Sequence, residues 1–351
     1  MSGTAQRQDG APAGGVVASE EAASRPTFSG ASRLVRARRS GMDILAVFLL
    51  LQAVCVIGGL VAPERFPYLS EGNLRVLLQA IPELGVVALG VGILMVAGEF
   101  DLSVGANYTF SAIVMAGLVT QEGVSPWLAA AVALAIGTAI GLINAAITFL
   151  LQIPSFIATL GAMLFWQGFT LYYHGSNFIG FNPGGRFASV FSGEVGVVEA
   201  AFVWFVAAAI GAGLLLHHHR LGNSIFAAGA NAVAAAAVGV RTRRTKTIAF
   251  GITGFFAALA GILATTRVNS IVPGQGGDLP LLAIAACVIG GVALTGGRGS
   301  IVGVAIGAAL IYTIQDILLL LRAPGFYLQL FVGLLIIGAA GLNQLARGRV
   351  T

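Results

Sequence analysis

Apolar runs long enough to cross a bilayer recur along almost the whole chain, and they leave few architectures open. Such runs can be read near 44–62, 84–98, 104–120, 126–150, 155–173, 198–216, 248–265, 281–297, 300–320 and 326–343. About 20 apolar residues in a helix span a hydrocarbon core of ~30 Å, and a helix satisfies its own backbone hydrogen bonds where lipid cannot. Composition agrees: 57% of residues are hydrophobic, only 9% are charged and the mean hydropathy is +0.91, whereas soluble domains carry roughly a quarter charged residues. The expected fold is an all-α integral membrane protein with about ten transmembrane helices. Transmembrane β-strands are excluded, because they are shorter and alternate apolar with polar residues. The 49 glycines recur inside the runs, as at Gly137 and Gly141 or Gly303 and Gly307, where small residues let helix backbones approach.

Basic residues set the orientation, since cytoplasmic flanks retain Lys and Arg. With the N-terminus inside, 14 of the 19 Lys and Arg residues fall on the cytoplasmic side: six before the first run, five between Arg220 and Lys246, and Arg298, Arg347 and Arg349. Arg65, Arg75, Arg186, Arg267 and Arg322 fall outside. Both termini are therefore expected in the cytoplasm, and the net charge of +5 is explained by the flanks without nucleic acid. Residues 1–42, rich in Ala, Gly and Ser, read as a disordered cytoplasmic tail rather than a signal peptide. Residues 43–346 form the membrane domain, with a cytoplasmic loop at 217–247.

Polar residues within so apolar a chain are the informative ones, because burying a charge in lipid costs several kcal/mol, about 2.5–3.5 on insertion scales. The turn Gly98–Tyr108, GEFDLSVGANY, holds Glu99, Asp101 and Ser103 at the cytoplasmic junction of the second and third runs. Asp101 or Ser103 can cap the third helix. A cap needs one acidic residue and the turn has two, so a gating or coupling role stands beside the capping one. Asn144, Phe156 and Trp166 are candidate residues of a translocation path, since amides and aromatic faces suit a polyhydroxylated solute. Helix–helix hydrogen bonds and an interfacial aromatic belt are the blander alternative. Apart from Asp316 beside Gln315, the ionisable residues sit at the ends of runs, which leaves no evident proton relay.

Nucleotide and metal chemistry find little support. Lys246, the only lysine, follows Thr245 where a phosphate-binding loop requires Gly, so ATP hydrolysis by a P-loop in this chain is excluded. Gly296, Gly297 and Gly299 beside Arg298 form a glycine-rich turn without that pattern. His217–His219 lack an acidic or cysteine partner, Cys55 and Cys287 have no ligand spacing, and no metal site is expected.

One apolar stretch does not behave as a span. Ile225–Val238 is only 14 residues, about 21 Å as helix, and basic residues flank both its ends. It therefore lies outside the membrane. Its alanine-rich face suits insertion into a groove on another protein, with Gly229 and Gly239 allowing turns and Arg241 and Arg243 as contacts to an acidic partner surface. A helix lying on the lipid surface is the alternative, but it would carry bulky apolar residues on one face.

Four sequence blocks now occur together: GEFDLSVG; GLINAAITFLLQIPSFIATLGAM from Gly141 to Met163; AAGANAVAAAAVGV; and AIAACVIGGVALTGGRGS from Ala283 to Ser300. Jointly, over residues 43–343, they resemble the membrane permease subunits of ribose/xylose/galactose-type ABC importers. The resemblance implies a type II importer-like permease fold, a permease homodimer or heterodimer, docking of a cytoplasmic ABC ATPase that carries ATP and Mg, and delivery of a monosaccharide by an extracytoplasmic binding protein. It implies a non-catalytic subunit without its own cofactor in the bacterial inner membrane. The stretch around Gly229, Asn231, Ala234, Ala235 and Gly239 would be the coupling helix. Two departures stand out: PLLAIAA, with Pro280, Leu281 and Leu282, replaces an acidic ELDAIAA-like pattern, and Ala232, Val233, Ala236 and Val238 replace the Pro, Glu, Arg and Ser of the coupling loop. Another small polar solute, such as a polyol, inositol or autoinducer sugar, is the alternative cargo, and an ion-coupled secondary transporter is the alternative class. Purified alone in nanodiscs, the chain is expected to hydrolyse no ATP; robust hydrolysis would show that a nucleotide site had been overlooked.

Overall fold

The computed structural model describes residues 30–196, 198–327, 329–334, 337–338 and 341. Helix α1 (Gly30–Val61) leads to α2 (Glu71–Val96), α3 (Val104–Thr120), α4 (Pro126–Leu151) and α5 (Ser155–His174). On one side of the bundle, β1 (Ile179–Gly180), α6 (Gly185–Ser192) and the short hairpin β2 (Glu194–Val195) and β3 (Val198–Glu199) follow. Helix α7 (Ala200–His218) returns to the opposite side, where α8 (Arg220–Ala230) and α9 (Ala232–Ala237) lie. Helix α10 (Thr242–Val268), strand β4 (Ser270–Ile271), α11 (Leu279–Ile289) and α12 (Ile301–Leu320) complete the order. Strand β4 pairs antiparallel with β1, Ile271 opposite Ile179.

Local chemistry explains the helix boundaries. Ser70 Oγ accepts from Asn73 N at the start of α2, Ser125 precedes Pro126 at the start of α4, and Ser300 Oγ accepts from Gly303 N at the start of α12. Each satisfies a backbone donor that the first turn leaves orphaned. Helix α4 stops at Gln152 in the left-handed conformation (φ 55°) just before Pro154, and α5 begins directly after that proline.

Helices α2 and α10 form the centre, with Leu84–Ala97 and Ala257–Ala264 almost wholly buried. They are clasped by α3, α4, α7, α11 and α12, while α1 turns most of its apolar surface outward. The glycines work as expected at the crossings. A Cβ on Gly254 would overlap the Gly137 carbonyl, and one on Gly141 the Phe250 carbonyl, so α4 and α10 touch backbone to backbone. Gly303 and Gly307 meet Gly290 and Ala286 in the same manner between α11 and α12.

Among the described residues, six helices are long and apolar enough to cross a membrane: α2, α4, α7, α10, α12 and the Ile44–Val61 part of α1. The all-α membrane fold is thus present, with a different partition from the expected ten runs. The run read at 84–98 is the second half of the 26-residue α2, whose polar first half hid it from a hydropathy reading. The run at 281–297 is not one helix. Helix α11 has 11 residues, about 16 Å, and ends at Gly290 ahead of Gly291 at φ 83°, which leaves 290–300 irregular. The run at 326–343 lies only partly within the described residues, as does the expected tail: residues 1–29 lie outside them, and α1 already begins at Gly30. Gly254→Val is expected to lower the melting temperature of the detergent-purified protein sharply, because overpacking costs about 1–3 kcal/mol or more, whereas Gly161→Ala, with open space around its Cβ position, should leave it unchanged.

Candidate functional site

Four separated segments converge where α2, α8, α10 and α12 end or begin on the side that carries α8 and α9. The turn 97–103 leaves α2 and enters α3. Its backbone is held by the start of α5: Phe100 N donates to Ser155 Oγ and Leu102 N to Thr159 Oγ1, both at 3.1 Å. Neither side chain expected to cap α3 does so, since Ser103 makes no capping bond. Asp101 instead folds back on its own turn, Oδ1 accepting from Ser103 N at 2.8 Å and Ser103 Oγ at 2.7 Å. Asn144 Nδ2 reaches it from α4, 3.2 Å from Asp101 Oδ2 and 2.7 Å from Ser103 Oγ. All three side chains are buried, so this carboxylate is compensated by hydrogen-bond donors, with no ion-pair partner among the described residues. Among the described residues Asn144 Oδ1 has no hydrogen-bond partner.

Glu99 points elsewhere. Its Oε1 lies 2.6 Å from Lys246 Nζ, with both side chains mostly withdrawn from solvent. The pair fastens the first turns of α10 to the turn before α3, and the chain's single lysine is accounted for by it.

The loop 217–247, expected to hold one helix, holds two, α8 and α9. Asn231 adopts an extended conformation (φ −160°, ψ 101°), ends α8 and caps α9, its Oδ1 accepting from Ala234 N at 3.0 Å. Gly229, in the last turn of α8, is wedged between two turns of the membrane domain: a Cβ there would overlap the Val96 carbonyl and stand 2.7 Å from Gly297 N. Gly297 N in turn donates to Val96 O at 2.8 Å, so the 295–297 turn, the end of α2 and the end of α8 share one backbone junction. Beyond it, α9 projects with Val233 and Val238 more than three-quarters exposed, Ala234 exposed and Ala235 buried. Gly239 (φ 89°) reverses the chain towards α10. Arg241 is exposed and makes no hydrogen bond or ion pair among the described residues, whereas Arg243 donates to Phe149 O at 2.7 Å in the last turn of α4, where a cation complements the helix dipole. Arg243 is thus tied to its own membrane domain.

The three path candidates are not brought together. Asn144 is fully buried in the Asp101 cluster, Phe156 is half-exposed on α5, and Trp166 packs on Phe110, Phe165 and Phe169 with ring centroids 5.0–5.8 Å apart. A mid-helix ion pair that the sequence reading missed lies towards the other side. Glu83, the thirteenth of the 26 residues of α2, accepts from Arg267 Nη2 at 3.2 Å and from Tyr108 Oη at 2.7 Å. The pair corrects the expectation that only Asp316 departs from the run ends, because α2 begins at Glu71, well ahead of the apolar run at 84–98, and Arg267 lies within the last turn of α10. Ser155 and Thr159 could have been found, because both lie within the quoted IPSFIATLG block.

Among the described residues the bundle carries six helices long and apolar enough to cross a membrane, and two glycine-stitched turns grip the projecting 220–239 segment. The chain belongs to the family described as branched-chain amino acid transport system / permease component, whose model matches residues 73–340. It is 32% identical over 272 residues to the autoinducer 2 import system permease protein LsrC of Salmonella choleraesuis (strain SC-B67), covering 77% of this chain and 78% of that protein. Similarity to the protein of the same name from Enterobacter sp. (strain 638) is 31% over 307 residues, 88% of each chain. The xylose/arabinose import permease protein XylH of Sulfolobus acidocaldarius is 34% identical over 255 residues, covering 71% of this chain and 70% of that one. No solved structure matches. The chain is a transport subunit, and not an enzyme.

Asp101→Ala strips the acceptor from three buried donors. A loss of about 1–3 kcal/mol per unsatisfied group is expected, readable as a lower melting temperature in detergent. Asp101→Asn, which keeps an acceptor oxygen, should recover most of it; equal losses in both variants would show that the charge itself, rather than donor satisfaction, holds the turn.

Proposed function

We propose that this chain is the permease of an ATP-binding cassette importer for a monosaccharide, and that it crosses the bacterial inner membrane ten times with both termini in the cytoplasm. Six crossings are the long apolar helices and α3, α5 and the α11 segment are three more; the run at 326–343, expected as the tenth, lies only partly within the described residues. Two permeases enclose the path, an extracytoplasmic binding protein delivers the sugar, and a cytoplasmic ATPase binds ATP and Mg. The relatives support the cargo class: both kinds are named for import, one for autoinducer 2 and the other for xylose and arabinose. An autoinducer sugar or another small polyhydroxylated solute fits the same reading. Selectivity rests mainly with the binding protein, since a path must release what it accepts.

The projecting α9 carries the docking assignment. A six-residue helix, AVAAAA, with exposed Val233 and Ala234 and with exposed Val238 just after it, buries too little of itself to be stable alone. It is held by Asn231 at one end and the Gly229 junction at the other, and it fits a groove on the ATPase, with Arg241 beside it for an acidic rim. Closure of the ATPases would then move α9 as a lever. The Gly229 wedge passes that displacement to the ends of α2 and α11, and the Glu99–Lys246 pair passes it to α10. The gating and coupling role belongs to Glu99 in this account, while Asp101 and Ser103 keep the turn rigid.

Ala234 provides the test because it is exposed, whereas a bulky residue at buried Ala235 would disrupt the loop itself. Ala234→Trp should abolish copurification with the ATPase and sugar uptake while membrane insertion stays normal. If the variant copurifies and transports at the wild-type rate, α9 is not the docking element. Charge exchange gives a second check: Glu99→Lys and Lys246→Glu singly should cut uptake without loss of ATPase binding, and the double variant should restore it.

A further inference from the structure

A second irregular segment lies far from the coupling junction. After β4 the chain does not stay at the surface. Residues 272–278, VPGQGGD, turn back into the bundle before α11 begins. Gly276 N donates to Thr109 Oγ1 at 3.0 Å, and Gly276 and Gly105 pack so closely that a Cβ on either would overlap the other's carbonyl. Gln275 Nε2 donates to Tyr108 Oη at 3.3 Å, and that phenol reaches Glu83 at the midpoint of α2. The loop therefore turns back into the bundle, linked through Tyr108 to the middle of the 26-residue α2.

Its outer face is uncovered. Gly274, Gly277 and Asp278 are exposed, and Asp278 makes neither an ion pair nor a capping hydrogen bond among the described residues. A cavity of about 10 Å³ separates Gly274 and Gly277 from Thr109, Gln167 and Thr170, which is room for about one water-sized group. Thr109 and Thr170 spend their hydroxyl protons on helix carbonyls, Gly105 O and Trp166 O. Gln167, by contrast, makes no hydrogen bond among the described residues and leaves its whole amide available. Exposed irregular backbone and a free carboxylate at this depth cannot face lipid, where each unsatisfied group costs several kcal/mol. Such backbone is tolerated at membrane depth where it borders protein or a water-filled cavity.

We propose that the loop 272–278 and Gln167 form one wall of the solute path and contact the passing sugar, with Gln167 and Asp278 hydrogen-bonding its hydroxyls. The proposal rests on the importer reading, and it moves the contact site from Asn144 and Phe156 to this loop. A hydroxyl fits the one-group cavity between the threonines and the glycine backbone. Asp278 accepts from hydroxyls and the Gln167 amide both donates and accepts, which matches a polyol while excluding none of the sugar stereoisomers. Trp166, the neighbour of Gln167 on α5, offers an aromatic face close by. The Glu83–Arg267 pair and Tyr108 hold the loop in place from behind.

The test uses the complete importer, permease with its ATPase and binding protein, in proteoliposomes. Gln167→Cys and Asp278→Cys are treated with a negatively charged, membrane-impermeant methanethiosulfonate, with Ile57→Cys on the outward face of α1 as the lipid-facing control. Native Cys55 and Cys287 are buried and give little background. Both loop-side cysteines should be modified and the control should not. Gln167→Leu and Asp278→Ala should each lower uptake of D-xylose, L-arabinose or D-ribose about three- to tenfold, the value of one lost hydrogen bond, with ATPase copurification unchanged. If the wild-type importer transports while both cysteines stay unreactive, the loop does not border the path. Modification with wild-type uptake in both substituted variants overturns the contact. A wild-type complex that moves none of these sugars would count against the importer reading instead, and the thiol reaction still decides whether the loop faces water.

Discussion

Lipid offers no hydrogen bonds, and the rest of this structure follows from how the chain obeys that constraint where it is not helical. Three irregular segments, 97–103, 272–278 and 290–300, interrupt the helices, and the first two lie within the bundle. Each is closed by groups from neighbouring elements: Ser155 and Thr159 for the first, Thr109 for the second, and Val96 O with the cap Ser300 for the third. Glycine makes this possible at Gly105 against Gly276 and at Gly229 against Val96, where backbone must touch backbone. A side chain at these points would separate segments whose polar groups have no other partner.

The same economy connects the α8–α9 segment to the core. Because the end of α8 is clamped by backbone, with no side chain between it and the two turns, little slack exists between a push on α9 and a displacement of α2 and α11. The Glu99–Lys246 pair adds α10, the most buried long helix, to the same unit. Partly withdrawn from solvent, that pair is screened less by salt than a surface pair would be. The Asp101 cluster differs in kind: it neutralises a carboxylate with hydrogen-bond donors and ties α4 to the turn, which suits rigidity more than movement.

Much of this was legible in the sequence for physical reasons. The apolar runs pointed to an all-α membrane fold, and the glycine pairs at 137/141 and 303/307 located crossings. What stayed hidden was tertiary. Asn231 breaks the alanine-rich stretch through its cap, although alanine propensity alone favours one continuous helix. Glu83 was invisible because its half of α2 is polar, and its partner Arg267 is 184 residues away. The loop 272–278 has no apolar period to place it, and only its contact with Gly105 shows that it turns back into the bundle. Asn144 looked like a path residue because it is polar within a span, yet its partners are Asp101 and Ser103.

The account depends most on the backbone junction at Gly229, and one substitution addresses it directly. In the reconstituted importer, ATP hydrolysis and sugar uptake are measured side by side for Gly229→Ala, with Gly161→Ala, a helical position with open space around its Cβ, as the comparison for a glycine outside the junction. The added methyl group must push α8 away from Val96 and Gly297. ATPase copurification and basal hydrolysis should persist in Gly229→Ala while uptake falls well below that of the comparison variant. Wild-type uptake in Gly229→Ala, with normal coupling of hydrolysis to transport, would contradict the claim that this junction carries motion from the cytoplasmic loop into the membrane.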